Sequence, residues 1–358
     1  MRKSSFLACF LAIAALSLLL SGCGIITNQN KLIGISMPSK EQQRWIQDGD
    51  NIKKQLQAKG YTVDLRNAEG DIKKQISHIQ DLINKNCRVI VITVIDNESL
   101  TEVLTGAAKK NIRILSYDRL VFNTPTVDYY LTFDNVEVGV MQAQYIVDAF
   151  DLAGSGNVIT LEMFSGALDD GCTPDYYEGQ MNVLRPYIEK GQIIIKSGQT
   201  SLLETATFDW SGDVAARRLE KILAEFYADG TRLDAVLSTY DGMSVEMIES
   251  LKAAGYGTAA NPLPVVTGQD CDRASVISII NNEQAMSVFL DTRTMAARTV
   301  DMIDDIMVNK RPAINDSTRY NNGVKIVPAA VCKPVLVDRN NYREVLINSG
   351  YYRESSLR

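Results

Sequence analysis

From about residue 31 onward, short apolar runs alternate with stretches of helical periodicity. Residues 31–37 read as a buried strand. Residues 41–59 follow with Trp45, Ile52 and Leu56 at helical spacing, and Gly60 stands where a helix C-terminus favours a residue of positive φ. A strand at 61–65 leads to a helix at 71–85 whose Ile72, Ile76, Ile79 and Ile83 share one face. Residues 88–95 form a continuous β-branched run, the composition of a strand covered on both faces of a parallel sheet. A helix near 99–110 and a strand at 112–116 complete this series. The pattern restarts after Asp134 with a helix at 136–150 and strands near 157–163, 192–196, 233–237 and 264–267. Helices near 174–189, 213–227, 244–254 and 273–281 separate them. A strand at 285–289, a helix at 293–309, a strand pair at 325–330 and 333–337, and a helix at 340–347 follow.

Strand and helix in alternation are the signature of an α/β layer with right-handed crossovers. The restart predicts an α/β protein of two Rossmann-like, doubly wound parallel-sheet domains. No low-complexity linker separates the halves, so strand-like crossings are expected to join them, as a hinge requires.

The first thirty residues have a different pattern. Arg2 and Lys3 precede an apolar stretch from Phe6 to Leu20, followed by Leu20-Ser21-Gly22-Cys23. A basic start, an apolar core and small residues before a cleavage point define a secretory signal peptide, here 1–22. The apolar stretch is shorter than the ~20 residues a membrane-spanning helix needs. Cysteine directly after the small pair resembles a bacterial lipobox. Cys23 is therefore the expected lipidation site, residues 23–30 a tether, and the protein extracytoplasmic, touching the membrane through the lipid anchor alone.

Composition narrows the function. Formal net charge is −6, with no basic block, so nucleic acid is not an expected partner. With Cys9 in the signal and Cys23 at the anchor, Cys87, Cys172, Cys271 and Cys332 remain. They are widely spaced with no C-x-x-C pair, which argues against zinc, and their disulfide state stays open among three pairings. The single histidine, His78, lies inside a helical pattern, which removes histidine triads and multi-histidine metal sites. No cofactor and no metal are expected.

In open parallel sheets ligands bind beyond the carboxyl ends of the strands. There the chain carries Arg44 and Trp45, then Asp118 and Arg119, then in the second half Asp170, Tyr240, Asp241 and Asp270. Trp210 stands in the loop before the 213–227 helix, and Trp45 and Trp210 are the only two tryptophans. Flat rings cover the apolar faces of a pyranose. Carboxylates accept its hydroxyl protons while guanidiniums fill its lone pairs, and such charge-assisted bonds are strong. Interleaved Asp and Arg are expected to neutralise the site and to lower the carboxyl pKa values, which disfavours a glycosidase acid–base pair. This is a binding constellation rather than a catalytic one.

The segments Arg44-Trp45-Ile46-Gln47-Asp48-Gly49, Tyr117-Asp118-Arg119-Leu120, Tyr129-Tyr130-Leu131-Thr132-Phe133-Asp134-Asn135, Tyr240-Asp241-Gly242, Gly268-Gln269-Asp270 and Asn322-Gly323-Val324-Lys325 resemble the type I periplasmic sugar-binding proteins of ABC importers. Within that family they are similar to the multiple-sugar receptors for aldoses such as glucose, galactose, arabinose and xylose. The resemblance covers nearly all of the chain after the tether. It implies an N-terminal lobe of 31–131 plus 291–327 and a C-terminal lobe of 134–289 plus 330–358, with crossings near 131–134, 289–291 and 327–330. It implies a sugar ring held between Trp45 and Trp210. Arg44, Asp118 and Arg119 would bind hydroxyls from one lobe, Asp170 and Asp270 from the other, with Tyr240 or Asp241 on the wall. The implied partners are a monosaccharide and ABC permease subunits, with a chemoreceptor or sensor as the alternative recipient of the closed form. Two positions depart from the family: Gly171-Cys172 where relatives often carry an Asn pair, and Leu290 where they often carry Lys or Asn. Residues 151–156 lack the series of carboxylates that the calcium loop of the galactose-binding branch needs.

Overall fold

The computed structural model describes residues 31–357. The expected signal peptide, the tether and the Cys23 anchor lie outside the described residues. Twelve strands run in chain order: β1 Leu32–Met37, β2 Thr62–Asn67, β3 Val89–Ile92, β4 Arg113–Tyr117, β5 Val127–Phe133, β6 Ile159–Phe164, β7 Ile193–Ile194, β8 Ala235–Ser238, β9 Val265–Val266, β10 Met286–Phe289, β11 Ala329–Cys332 and β12 Val335–Asp338.

The first sheet has the order β2-β1-β3-β4-β5-β11, every neighbour parallel. The second runs β7-β6-β8-β9 in parallel. A parallel bridge from Gln269 to Val288 extends it to β10, which pairs antiparallel with β12. Both sheets are doubly wound, as the alternating pattern predicts. β3 is buried at all four positions, the environment its β-branched run requires. β6 is buried throughout and includes Glu162, whose carboxylate accepts from Ser197 N, Ser197 Oγ and Tyr227 Oη. Helix Gln43–Ala58 closes at Lys59, and Gly60 follows at φ +83°. In the second lobe, helices Asn135–Ala149 and Thr173–Glu189 touch backbone to backbone. A Cβ on Gly139 would fall 2.0 Å from Tyr176 O, and one on Gly179 would fall 2.0 Å from Val136 O.

Three features differ from the sequence expectation. β5 is a full strand of the first sheet, where only a crossing at 131–134 was expected. The expected pair of tail strands does not pair with itself: β11 joins β5 in the first sheet and β12 joins β10 in the second. The third passage between the sheets therefore falls at Lys333-Pro334, after the 327–330 expected. The helix expected at 340–347 is a π-helical segment, Arg343–Asn348. Cys87, Cys172, Cys271 and Cys332 are all free and buried. Among the described residues no helix is long and apolar enough to cross a membrane.

Candidate solute-binding cleft

The carboxyl ends of both sheets face one another across a narrow, nearly filled cavity. Gln42, Arg44, Trp45, Asp118 and Arg119 line it from the first lobe. Asp170, Tyr176, Trp210, Tyr240, Gln269 and Asp270 line it from the second.

Arg44 projects from the first turn of its helix and is 6% exposed. It donates to Asp118 and, across the cleft, to Asp270 at 3.4 Å. One helical turn on, Asp48 lies 3.5 Å from Arg44 Nε and accepts a 2.6 Å bond from Tyr117 Oη. β4 ends at Tyr117, so Asp118 and Arg119 emerge at the sheet edge, with Asp118 in a left-handed conformation at φ 63°. Its carbonyl is held by Tyr130 Oη. Arg119 forms a second bridge between the lobes, Nη2 to Asp170 Oδ2 at 2.8 Å. Both guanidiniums lie over Trp45, at 4.9 and 5.4 Å from the ring centroid.

The opposite wall is built on loops. Trp210 has φ 54° and stands edge-on to Tyr176 and Tyr240, with centroids at 6.2 and 6.1 Å. Its Nε1 donates to Asp170 Oδ2 at 3.2 Å, and Cys172 N holds Asp170 Oδ1 at 3.0 Å. Gly166 gives this ring its place, since a Cβ there would lie 2.1 Å from Trp210 Cη2. Asp270 and Cys271 follow β9 at φ 93° and 52°. Such conformations cost about 1 kcal/mol or more each and persist where their surroundings over-determine them.

Asp241, expected on the wall, sits behind it. It is the first residue of helix Asp241–Ala253 and is fully buried. It accepts from Gln284 Nε2, Ser287 Oγ and Asp272 N, each at 2.9 Å, and so braces the Asp270 loop. The remaining expected residues line the cavity, joined by Gln42, Tyr176 and Gln269, which strand-end reasoning did not single out. Of the two departures from the family, Leu290 is buried in the apolar core. Gly171 packs across the cleft, where a Cβ would meet Asn97 Nδ2 at 2.4 Å and Phe122 Cε2 at 3.0 Å.

The electrostatics correct a second expectation. Asp118, Asp170 and Asp270, with Asp48 behind them, share the two cations Arg44 and Arg119, which were expected to hold the carboxyl pKa values down. Burial outweighs the arginines and lifts the Asp48 and Asp270 carboxyls to about 7. Asp118 is pushed up as well, again by burial first, against the pull of Arg44. Buried charge of this kind is costly unless every polar atom is satisfied. Here Arg119 Nε and Gln269 Oε1 have no hydrogen-bond partner. A wall offering buried acceptors and unpaired donors around aromatic rings suits a small polyhydroxylated solute.

Comparison with known proteins agrees. The periplasmic binding protein domain matches residues 33–311. The chain is 45% identical over 326 residues to the multiple sugar-binding periplasmic protein SbpA of Azospirillum brasilense, covering 91% of both. It is 44% identical over 326 residues to the multiple sugar-binding periplasmic receptor ChvE of Rhizobium radiobacter, covering 91% of this chain and 92% of that one. A solved ABC transporter solute-binding protein from Clostridium phytofermentans, with bound β-D-glucose, superposes with a TM-score of 0.87 at 43% identity, covering 91% of this chain and all of that one. The chain therefore belongs to the periplasmic binding protein family, among the sugar-binding proteins of ABC transporters. It is a binding protein and not an enzyme.

Proposed function

We propose that this protein captures an aldopyranose by closing its two lobes around it and delivers the sugar to an ABC importer from a lipid anchor at Cys23. The observation that carries the reading is the composition of the cleft. Each lobe contributes one tryptophan, and the ion pairs Arg44–Asp270 and Arg119–Asp170 run from lobe to lobe among the same residues. In the sugar-bound form Arg44, Arg119 and Gln269 would donate to ring and hydroxyl oxygens, while Asp118, Asp170 and Asp270 would accept hydroxyl protons. Trp45 and Trp210 would cover the C–H faces, and Tyr240 would border the ring. The sugar bridges both lobes only when they are closed, so its binding energy shifts the population toward the closed form. The multiple-sugar receptors at about 45% identity and the glucose-bound structural neighbour support an aldose as the solute.

A thermal-shift screen with D-glucose, D-galactose, L-arabinose, D-xylose, D-ribose and myo-inositol tests the solute, because a ligand of the native state raises the melting temperature. Aldopyranoses should give the largest shifts. No shift with any of them overturns the proposal. For the anchor, mass spectrometry of the membrane-bound protein should show a mature chain beginning at acylated Cys23. An intact Met1 or an unmodified Cys23 rejects it.

A further inference from the structure

A second seam joins the lobes, and none of its residues lines the cavity. It is made by the segment that follows the π-helical turn Arg343–Asn348. Tyr351 and Tyr352 are fixed to the second lobe by aromatic packing. Phe289 and Tyr351 rings meet edge-on at 4.6 Å, Tyr351 and Tyr352 at 4.9 Å, and Tyr352 N donates to Leu346 O at 2.8 Å. Their hydroxyls reach the first lobe. Tyr351 Oη donates to Gln47 Oε1 at 2.5 Å, and Tyr352 Oη accepts from Gln43 Nε2 at 2.9 Å. Gln43 and Gln47 stand one turn apart on the helix that carries Arg44, so they form a row on one face. At the crossing end the row continues with Arg293 Nη1, which donates to Ser349 O at 2.9 Å.

Tyr352 also touches the site's backbone. Its hydroxyl donates to Cys271 O at 2.9 Å, the residue after Asp270, and both residues hold left-handed backbone conformations. The chain Gln43–Tyr352–Cys271 thus runs parallel to the ion pair Arg44–Asp270, one residue along on each side. One rung faces the solute and the other does not.

We propose that Tyr351 and Tyr352 are a closure latch: they bond the first lobe only when the cleft is shut, and Tyr352 is a positioning residue that holds Asp270 toward the solute. The inference rests on the sugar-binding reading above. A latch of this kind acts on escape rather than on capture. The open form presents the same cavity residues with or without the hydroxyls, so association is unchanged, while reopening must break the seam.

The test is stopped-flow binding of D-glucose to the wild type and to Tyr351→Phe, Tyr352→Phe and the double variant, with D-galactose and D-xylose run alongside. Phenylalanine keeps the ring packing and removes only the hydroxyl. Each variant should dissociate about 3- to 10-fold faster with an unchanged association rate, the effect of losing one net hydrogen bond. Gln43→Leu combined with Tyr352→Phe should cost less than the sum of the two single changes, because both remove one bond. Melting of the sugar-free variants reads any general loss of fold separately. A wild type that binds sugar and a double variant with the same dissociation rate overturn the latch alone. A slower association in place of a faster dissociation overturns it too. A wild type that binds none of the three sugars overturns the sugar reading and the latch with it.

Discussion

The two walls of the cleft solve one problem in different ways. The first-lobe wall is carried by regular structure: Arg44, Trp45 and Asp48 on one helix, and Asp118 and Arg119 at the end of β4. Its side chains are locked by charge, with Arg44 reaching Asp48, Asp118 and Asp270. The second-lobe wall is carried by loops whose backbone is left-handed at Asp209, Trp210, Asp270 and Cys271. It is locked by close contact with glycine and aromatic neighbours. A charge framework on a helix is rigid but tolerates little loss of charge. A strained loop presents a ring and carboxylates at angles no regular element offers, and it depends on each small residue beneath it.

Breaking the charge wall should have the largest effect. Arg44→Met leaves buried carboxylates without their shared cation, a change that typically costs about 3 kcal/mol or more. Sugar affinity should fall at least about 100-fold, with a lowered unfolding free energy by denaturant titration. A variant of unchanged stability and affinity would show that Arg44 does not organise this wall. Next in size, Trp210→Ala should weaken binding by about 2–3 kcal/mol in titration calorimetry, more than it lowers sugar-free stability. Equal losses in both would make Trp210 a core residue only.

Gly166→Ala sharpens the comparison further, because it alters the second wall without removing a sugar-facing group. The added methyl would displace the Trp210 ring, so affinity should drop about 10-fold, and Ala at a first-wall position of similar exposure should do little. Equal affinity for Gly166→Ala and wild type would reject this account. The effect that is smallest per step concerns pH. Asp48 is buried between Tyr117 and Arg44, and burial holds its carboxyl at about 7. A folded pKa above the unfolded one favours folding fully below about pH 4, and this contribution is lost as pH rises through about 7. Wild-type melting temperature should therefore decline from pH 5 to 8. Asp48→Asn should flatten that decline by at most about 1 kcal/mol per pH unit. Parallel profiles would place the titration elsewhere.

Much of this was legible in the chain because its signals are periodic. β3 reads as a buried parallel strand from its composition, and helix Ile72–Asn84 shows its apolar face in the spacing of Ile72, Ile76, Ile79 and Ile83. β5 was not, since Asp128, Tyr129 and Tyr130 interrupt its apolar character. The pairing of β11 and β12 with distant partners was not either, because adjacency in sequence suggests a hairpin and only the assembled sheets decide otherwise. At the site, the strand-end rule located Asp118 and Asp270. It could not tell Asp241 from Tyr240, which differ only in which side of one peptide they leave. Tyr176 lies in the first turn of helix Thr173–Glu189, away from any strand end, whereas Gln269 was available as the neighbour of Asp270. The carboxyl pKa values reverse the expectation because burial is a property of the assembled cleft.

The crossing at Lys333-Pro334 has a consequence for how the molecule is made. β11 completes the first sheet by pairing with β5, far earlier in the chain, and β12 completes the second by pairing with β10. The first layer is finished only when β11 has been synthesised and the second only when β12 has, and the β5–β11 pairing joins residues as far apart as Tyr130 and Ala329. Long-range pairing is slow because loop-closure entropy must be met first. A ribosome that has delivered everything up to residue 328 has delivered two unfinished sheets, each with an open edge. Maturation is therefore timed by the last strands rather than lobe by lobe.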